Sequence, residues 1–237
     1  MTSVEPAEII KILEIPDWGS ATAIKTAEAE FLYDFIRSKN LSDTLETGLA
    51  FAKSASHIMA ATGRPHIAID PYQLNYENLG LKNIERLGMK DQLDFRPDFS
   101  HNVLPALLKE GRTFDFIFID GDHKFDGILL DFYYADLLLR QGGYVLMHDT
   151  WMRSTRLVER FIKRNRNNFS HIPVSRRNLT LFRKEGEDSR DGMFFREFYT
   201  RKSVVLHALI IWMTSGKDNI SKRMMRRLKE IVRGPDS

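Results

Sequence analysis

Short apolar stretches alternate with longer amphipathic stretches along most of the chain. The longer stretches carry apolar residues at helical spacing, whereas the short ones are bounded by glycine, proline or charged residues, as buried strands are. The clearest strand pattern is FDFIFI at 114–119, which is apolar except for Asp115. Strands that alternate with helices in this way predict a parallel sheet with helices on both faces.

The pattern predicts seven strands, at 44–47, 66–70, 93–97, 114–119, 144–147, 171–174 and 179–183. It predicts helices at 23–38, 50–62, 76–87, 103–109, 128–140 and 155–165. A short turn at 175–178 separates the last two strands, which predicts a hairpin that adds an antiparallel edge to the sheet. The fold class is therefore α/β, with a Rossmann-like, doubly wound, mostly parallel sheet, a C-terminal antiparallel hairpin and a helical C-terminal extension.

Acidic and imidazole side chains follow two of the predicted strands directly. They are Asp120, Asp122 and His123 after the fourth strand, and His148 and Asp149 after the fifth. Ligands of open α/β sheets bind outside the carboxyl ends of the strands, so these residues are candidates for chemistry. Asp120 and Asp149 would repel each other unless a proton or a cation lay between them. Oxygen ligands with an imidazole suit Mg²⁺ or Mn²⁺. The simpler interpretation of Asp122 is a cap on the next helix.

A second candidate site lies at the turn from the first strand into its helix, in the sequence ETGLA. Gly48 would let the backbone approach a ligand, and a helix N-terminus favours negative charge. Asp70 ends the second strand about twenty residues later, where an acidic side chain can accept hydrogen bonds from ribose hydroxyls. The simpler alternatives are that Gly48 serves only a tight turn and that Asp70 serves only as a helix cap. Together the turn and Asp70 favour a nucleoside ligand, and the absence of GxxxxGK[ST] disfavours a triphosphate.

Composition excludes several classes of site. The chain has no cysteine, which excludes disulfides, thiolate metal sites and cysteine nucleophiles. The N-terminal sequence MTSVEPAEII has no basic region followed by an apolar core, so we expect no secretory signal. The longest apolar run, at 204–213, is too short to span a bilayer. We therefore expect a soluble cytoplasmic protein.

The charge is unevenly distributed along the chain. Residues 201–237 carry a net charge of +6, whereas the other 200 residues carry −3. A slightly acidic body argues against nucleic acid as a partner. The sequence KRMMRRLKEIVR at 222–233 predicts a basic amphipathic helix. We expect the extension at 185–237 to cover the domain or to form a homo-oligomer contact, and a peripheral contact with anionic lipid is the alternative.

Six motifs in this order resemble the class I S-adenosylmethionine-dependent methyltransferases, and more narrowly the small O-methyltransferases related to macrocin and catechol O-methyltransferases. The motifs are LETGLAFAKSA, HIAIDPY, LGLKNIERLG, SHNVLPAL, FDFIFIDGDHKFDG and GGYVLMHDT. The resemblance covers about residues 20–183. It implies a methyltransferase domain at 20–184 between an N-terminal segment at 1–19 and a basic helical extension at 185–237.

The resemblance also implies roles for individual residues. Those implied to bind S-adenosylmethionine are Glu46, Gly48, Ala50, Asp70, Phe99, Ser100 and Asp120. In this set, Glu46 and Gly48 match the motif for the methionine part, Asp70 matches the ribose-binding acid, and Phe99 and Ser100 fall where the family contacts adenine. Ala50 stands where many members carry a second glycine. The implied ligands of Mg²⁺ or Mn²⁺ are Asp120 and Asp149, with His148 or Thr150 as a further ligand. His123 matches the general base.

We therefore expect an enzyme that methylates a small hydroxylated acceptor, a sugar or a secondary metabolite, with help from a divalent cation. One alternative is a regulatory protein that kept the cofactor pocket but lost catalysis. A nicotinamide-dependent oxidoreductase is another, and the single glycine of the turn argues against it because a pyrophosphate needs more exposed backbone amides.

Overall fold

The computed structural model describes residues 4–176 and 178–198, together with residues 205 and 209. The basic helix expected at 222–233 and most of the apolar run at 204–213 lie outside the described residues, so the domain bounds stay a prediction. Within the described part of the chain, no helix has the length and apolarity needed to cross a bilayer.

The described part of the chain contains α-helices and β-strands in alternation. The helices are α1 (Pro6–Ile12), α2 (Thr26–Lys39), α3 (Lys53–Thr62), α4 (Leu79–Arg86), α5 (Ser100–Lys109), α6 (Phe125–Leu138) and α7 (Arg153–Asn165). The strands are β1 (Thr44–Thr47), β2 (His66–Ile69), β3 (Leu93–Arg96), β4 (Phe114–Ile119), β5 (Leu139–Met147), β6 (Phe169–Ile172) and β7 (Thr180–Lys184). Short 3₁₀ helices lie at Asp17–Gly19, Gln73–Tyr76 and Lys90–Gln92.

The strands form one mixed sheet in the order β3-β2-β1-β4-β5-β7-β6. Strands β1 to β5 run parallel, and β7 pairs antiparallel with both β5 and β6. The predicted α/β class, parallel sheet and antiparallel edge are therefore confirmed. The strand order reverses between β1 and β4, which is the point at which open α/β sheets bind their ligands.

Strand β4 lies in the middle of the sheet and separates two apolar layers. Its residues Ile117 and Ile119 pack with buried side chains of α5, α6 and α7 on one face. Phe116 and Phe118 pack with buried side chains of α2 and α3 on the other. Because successive side chains of a strand point to opposite faces, the unbroken apolar run at 116–119 is what a strand segment buried on both sides requires.

Asp115 is the one polar residue of β4, and it lies at the edge of the core near the start of the strand. Its carboxylate accepts hydrogen bonds from the backbone N–H groups of Ser42 and Asp43 and from the guanidinium of Arg140. The Arg140 contact measures 2.6 Å. These donors hold the pKa of Asp115 below its usual range, although burial acts in the opposite direction. Asp115 therefore joins the entry to β1 with the entry to β5.

Several elements differ from the prediction. Strand β5 begins at Leu139, inside the helix predicted at 128–140 and five residues before the strand predicted at 144–147, and β6 lies at Phe169–Ile172 and not at 171–174. Helix α3 begins at Lys53 and not at residue 50, because Ala50 (φ +43°) and Ala52 (φ +61°) adopt left-handed backbone conformations that a right-handed helix cannot include. The loop before α3 is consequently longer than the pattern indicates. Helix α1 was not predicted. It buries Ile9 against the layer that contains α3.

A buried ion network joins β7 to α6. The ammonium of Lys184 lies 3.6 Å from the carboxylate of Asp136 and donates hydrogen bonds to the backbone carbonyls of Asp136 and Leu139. Arg166 pairs with the same carboxylate, and all three charged side chains are less than 10% exposed. Asp136 is thus the anion between two buried cations.

Replacement of Asp136 by alanine should lower the free energy of unfolding by about 3–5 kcal/mol, because Lys184 and Arg166 would stay buried with only the more exposed carboxylates of Glu187 and Asp188 as counter-charges. Urea denaturation measures the change. Glu187→Gln is the matched control, since Glu187 also pairs with Lys184 but is 87% exposed, and it should cost less than about 1 kcal/mol. Equal losses in the two variants would contradict this account of the network.

Candidate active site

The turn after β1 packs directly against the end of β4. Gly48 has a φ of +89°, and a Cβ atom at this position would lie 2.4 Å from the backbone oxygen of Asp120. The Gly48 N–H donates to the carbonyl of Ile69, which ties the turn to β2 as well. Only glycine permits both the left-handed conformation and this close approach. The turn therefore brings the predicted cofactor motif against the residues that follow β4.

Asp70 shapes the same loop from the end of β2. Its carboxylate accepts hydrogen bonds from the backbone N–H groups of Leu49, Ala50 and Tyr72 and from the side-chain amide of Gln73. Three of these donors meet Oδ2, whereas Oδ1 accepts a single hydrogen bond at 2.7 Å from Tyr72. The loop needs Asp70 for its conformation, and Oδ1 keeps a lone pair for a further donor.

Glu46 is a buried carboxylate without a hydrogen bond from any described residue. The side chain is fully buried, and both of its oxygens are unpaired. The Nε2 atom of His66 lies 3.6 Å from the carboxylate, and the other ring nitrogen of His66 contacts the hydroxyl of Thr44 at 2.8 Å. An unpaired buried carboxylate is costly, so a donor supplied by a ligand would stabilise it.

Two aromatic rings lie together beyond β2 and β3. Phe99 is 43% exposed and meets the ring of Tyr72 edge-on, with the centroids 5.8 Å apart. Its other contact is a stacked one with His101. Ser100 follows as the first residue of α5. Sequence analysis identified Phe99 and Ser100 but missed Tyr72, whose position two residues after Asp70 was the available signal.

His148 is surrounded by three carboxylates. Its Nδ1 atom lies 2.9 Å from Asp120 and 3.3 Å from Asp149, and its Nε2 atom lies 3.1 Å from Glu28. Burial acts to lower the pKa of His148, but the carboxylates of Asp120 and Glu28 outweigh it and raise the pKa to about 10. The ring therefore carries a positive charge at neutral pH. The side-chain amide of Asn178 also contacts Nε2.

Glu28 comes from α2, before the region of the strongest motifs, and sequence analysis missed it. The carboxylate is 4% exposed and accepts a hydrogen bond from the Lys25 backbone N–H at 2.8 Å, which caps the start of α2. The hydrogen bond with His148 helps to hold the pKa of Glu28 below its ordinary value, against the effect of burial. The signal in the sequence was an acidic residue in the first turn of a helix, which is normally explained by capping alone.

Asp149 has a left-handed backbone, with a φ of +55°. Its carboxylate accepts hydrogen bonds from the indole N–H of Trp151 at 2.8 Å and from His123 at 3.0 Å. Burial acts to raise the pKa of Asp149, but these hydrogen bonds and the charge of His148 hold it well below its usual range. A strained backbone of this kind is typical of functional sites.

His123 is the most open of these side chains, at 46% exposure. The hydrogen bond with Asp149 is the main reason that its pKa lies above the ordinary value. Its backbone carbonyl accepts a hydrogen bond from the Ser154 hydroxyl, which fixes the loop. Asp122, by contrast, accepts a hydrogen bond from the backbone N–H of Lys124 in a turn before α6. The predicted cap is wrong, because Lys124 is the N-cap residue and α6 has no side-chain cap.

A divalent cation has one candidate ligand group among the described residues. Ligand atoms of Asp120, His123 and Asp149 lie within 4.8 Å of one another. His148, which the sequence predicted as a ligand, is not in this group, and its two ring nitrogens face Asp120 and Glu28. Asp149 also pairs with His123, and Asp120 pairs with His148 through Oδ1. Two carboxylates and an imidazole at this separation are a donor set that a divalent ion can use.

Comparison with known proteins identifies related sequences. A family model described as a methyltransferase domain matches residues 45–150. Caffeoyl-CoA O-methyltransferase 1 of Eucalyptus globulus is 30% identical over 131 residues, which are 51% of this chain and 52% of that protein. The caffeoyl-CoA O-methyltransferase of Petroselinum crispum is 30% identical over 132 residues, which are 51% of this chain and 54% of that protein. The chain spans about half the length of the curated relatives it matches.

Solved structures share the fold. The O-methyltransferase from Bacillus cereus in complex with SAH aligns with a TM-score of 0.62 and 18% identity, over 76% of this chain and 90% of that one. TomG from Streptomyces achromogenes, an O-methyltransferase in complex with SAM, aligns with a TM-score of 0.59 and 18% identity, over 70% and 83% of the two chains.

The sheet order, the turn at Gly48 and the polar strand ends define a class I methyltransferase fold. Over about half of its length the chain is similar to S-adenosylmethionine-dependent O-methyltransferases, among them the caffeoyl-CoA O-methyltransferases. The resemblance to class I methyltransferases that the motifs indicated is confirmed.

Gly48→Ala should destabilise the protein by clearly more than Gly63→Ala. Both glycines have a positive φ, so both variants incur the left-handed cost of about 1–2 kcal/mol, but a Cβ at Gly63 meets no atom within 4 Å. The difference between the two losses therefore measures the contact of the turn with β4. Thermal denaturation compares them, and similar melting temperatures for the two variants would show that the close approach is not required.

Proposed function

We propose that the protein transfers the methyl group of S-adenosylmethionine to a hydroxyl group of a small acceptor. The observation that carries this proposal is the position of His123. A half-exposed imidazole, paired with Asp149, lies three residues after Asp120, whose backbone contacts the glycine turn that bears the methyltransferase motif. A proton acceptor next to a cofactor loop is what O-methylation requires.

The residues around the turn fit S-adenosylmethionine as the cofactor. Glu46 offers an unpaired buried carboxylate for the ammonium group of the methionine part, and such a charge-assisted hydrogen bond would satisfy it. Asp70 has a free lone pair on Oδ1 for a ribose hydroxyl. Phe99 and Tyr72 present exposed aromatic surface for the adenine ring. When bound, the cofactor supplies a methyl group on a positively charged sulfur.

The chain's own residues would handle the proton. His123 accepts the proton of the acceptor hydroxyl at Nδ1, because its Nε2 donates to Asp149, as the oxygen forms its bond to the methyl carbon and the carbon–sulfur bond breaks. Asp149 orients the ring and stabilises the imidazolium that results, as carboxylates do beside catalytic histidines. Asp120 lies at the junction of the two sites because its backbone contacts Gly48 and its carboxylate contacts His148.

The acceptor is proposed only as a small hydroxylated molecule, with a sugar or a secondary metabolite as the two classes to test first. A regulatory protein that binds the cofactor without catalysis is the second candidate. Oligomer and membrane contacts of the extension at 185–237 remain predictions. Asp120 and Asp149 are the residues that would hold the Mg²⁺ or Mn²⁺ expected from the sequence, which would lower the pKa of the acceptor hydroxyl when bound.

Calorimetry should show that the protein binds S-adenosylhomocysteine and not NAD. Glu46→Gln should weaken this binding by roughly tenfold to a hundredfold, since a hydrogen bond to a charged group contributes about 1.5–3 kcal/mol. Glu85→Gln is the matched control, because Glu85 is exposed and pairs only with Lys90 among the described residues. Binding of NAD alone would contradict the proposed function.

His123→Ala should reduce tritium transfer from labelled S-adenosylmethionine to an accepted hydroxyl by roughly a hundredfold or more, without loss of cofactor binding. Only the neutral ring accepts a proton, so transfer in the wild type should fall as the pH drops through a pKa above 6.5. Asp149→Asn removes the partner that raises this pKa, so the fall should move to lower pH. NMR titration of the His123 ring measures the same shift without an acceptor, and an unchanged pKa in Asp149→Asn would contradict the pairing.

A further inference from the structure

The face of α7 that points away from the sheet carries a row of basic side chains, called the basic stripe below. We propose that the basic stripe binds an anionic lipid surface, which makes the protein a peripheral partner of the membrane. This binding is independent of the methyl transfer proposed above. The stripe consists of five exposed or half-buried residues: Arg153, Arg156, Arg160, Lys163 and Arg164.

Helical spacing places the five cations of the basic stripe on one side of α7. At about 100° per residue, their positions fall within an arc of roughly 100°, and the stripe is about 16 Å long. The buried residues of α7 lie on the opposite side, where Val158 and Ile162 belong to an apolar layer of the core. The stripe therefore faces solvent along the length of the helix.

Most charges of the basic stripe have no counter-charge. Lys163 pairs with Glu159, but the four arginine side chains form no ion pair or hydrogen bond with any described residue. Helix α7 has a net charge of +4, whereas residues 1–200 carry −3 in total, which leaves −7 for that region outside the helix. An unpaired positive stripe on an otherwise acidic body attracts an anionic partner to this face and not to the others.

Exposed apolar side chains beside α7 favour lipid over nucleic acid as that partner. The segment at 193–198 is attached to α7, since the backbone of Arg196 exchanges two hydrogen bonds with the side-chain amide of Asn165. From this segment Met193 and Phe195 project into solvent, 92% and 59% exposed. The phosphates of a nucleic acid would pair with the arginines alone. A bilayer takes up cations at its headgroups and apolar side chains at the acyl boundary.

Flotation of the full chain with lipid vesicles tests the proposal. The wild type should bind vesicles of phosphatidylcholine with phosphatidylglycerol, but not vesicles of phosphatidylcholine alone, and the affinity should fall as salt is raised. The triple variant Arg156→Gln, Arg160→Gln and Arg164→Gln should weaken this binding roughly a hundredfold, because each cation near an anionic leaflet contributes roughly fivefold.

Two matched variants separate the position of the charges from their number and from folding. Lys39→Gln, Lys82→Gln and Lys109→Gln together remove three exposed charges from α2, α4 and α5 and should leave vesicle binding nearly unchanged. Replacement of the same three arginines of α7 by lysine keeps the charge and should keep the binding.

Met193→Ser tests the apolar part of the contact. It removes no charge, so it should weaken vesicle binding without changing the dependence of that binding on salt. An unchanged affinity in this variant would contradict lipid as the partner, and so would binding to a DNA duplex without binding to the anionic vesicles.

Vesicle binding that survives in the triple arginine-to-glutamine variant would overturn the proposal. It would equally be overturned if binding were lost only on replacement of Arg226, Arg227 and Lys229 in the extension by glutamine. Circular dichroism shows whether each variant is folded. If the triple variant is not, Arg156→Gln alone carries the test, with an expected loss of roughly fivefold.

Discussion

The contact between Gly48 and the backbone of Asp120 is the constraint on which the site depends. It lies where the strand order reverses, so the helices that follow β1 and β4 diverge to opposite faces and leave a crevice between them. Any side chain at residue 48 would push the two strand ends apart. Through this contact, the loop held by Asp70 and the acid–imidazole cluster share one rigid edge. Neither part could be repositioned without moving the other.

The fold was predictable because its signals are local and repeated. Each strand is a short apolar run, and β4 is apolar on both faces because both faces are buried. Helix boundaries were less predictable where the backbone departs from what the residue types favour. Ala50 and Ala52 are good helix formers, yet both adopt left-handed conformations in the loop held by Asp70. That conformation is imposed by hydrogen bonds to a carboxylate twenty residues away along the chain.

The candidate site was predictable in its strand-end residues and not in the partners that determine their charge. Asp120, His123 and Asp149 stand directly after strands, where sequence position alone indicates chemistry. The role of His148 depends on Glu28 and Asn178, which come from α2 and from the turn before β7. Contacts between residues 120 and 30 positions apart leave no periodic signal. The presence of a histidine at position 148 therefore could not show whether its ring binds a metal ion or pairs with carboxylates.

Glu28 has a further consequence for what counts as one functional unit in this chain. The methyltransferase-domain model matches residues 45–150, but the carboxylate that meets His148 Nε2 belongs to a helix that ends before that region begins. The same carboxylate caps that helix, so the start of α2 and the charge state of the strand-end cluster are energetically coupled. If residues 45–150 alone were transferred to another protein, they would carry the glycine turn, both aspartates and His148. The ring of His148 would then lack the carboxylate of Glu28. The functional unit therefore includes α2 and is larger than the segment that the methyltransferase-domain model matches.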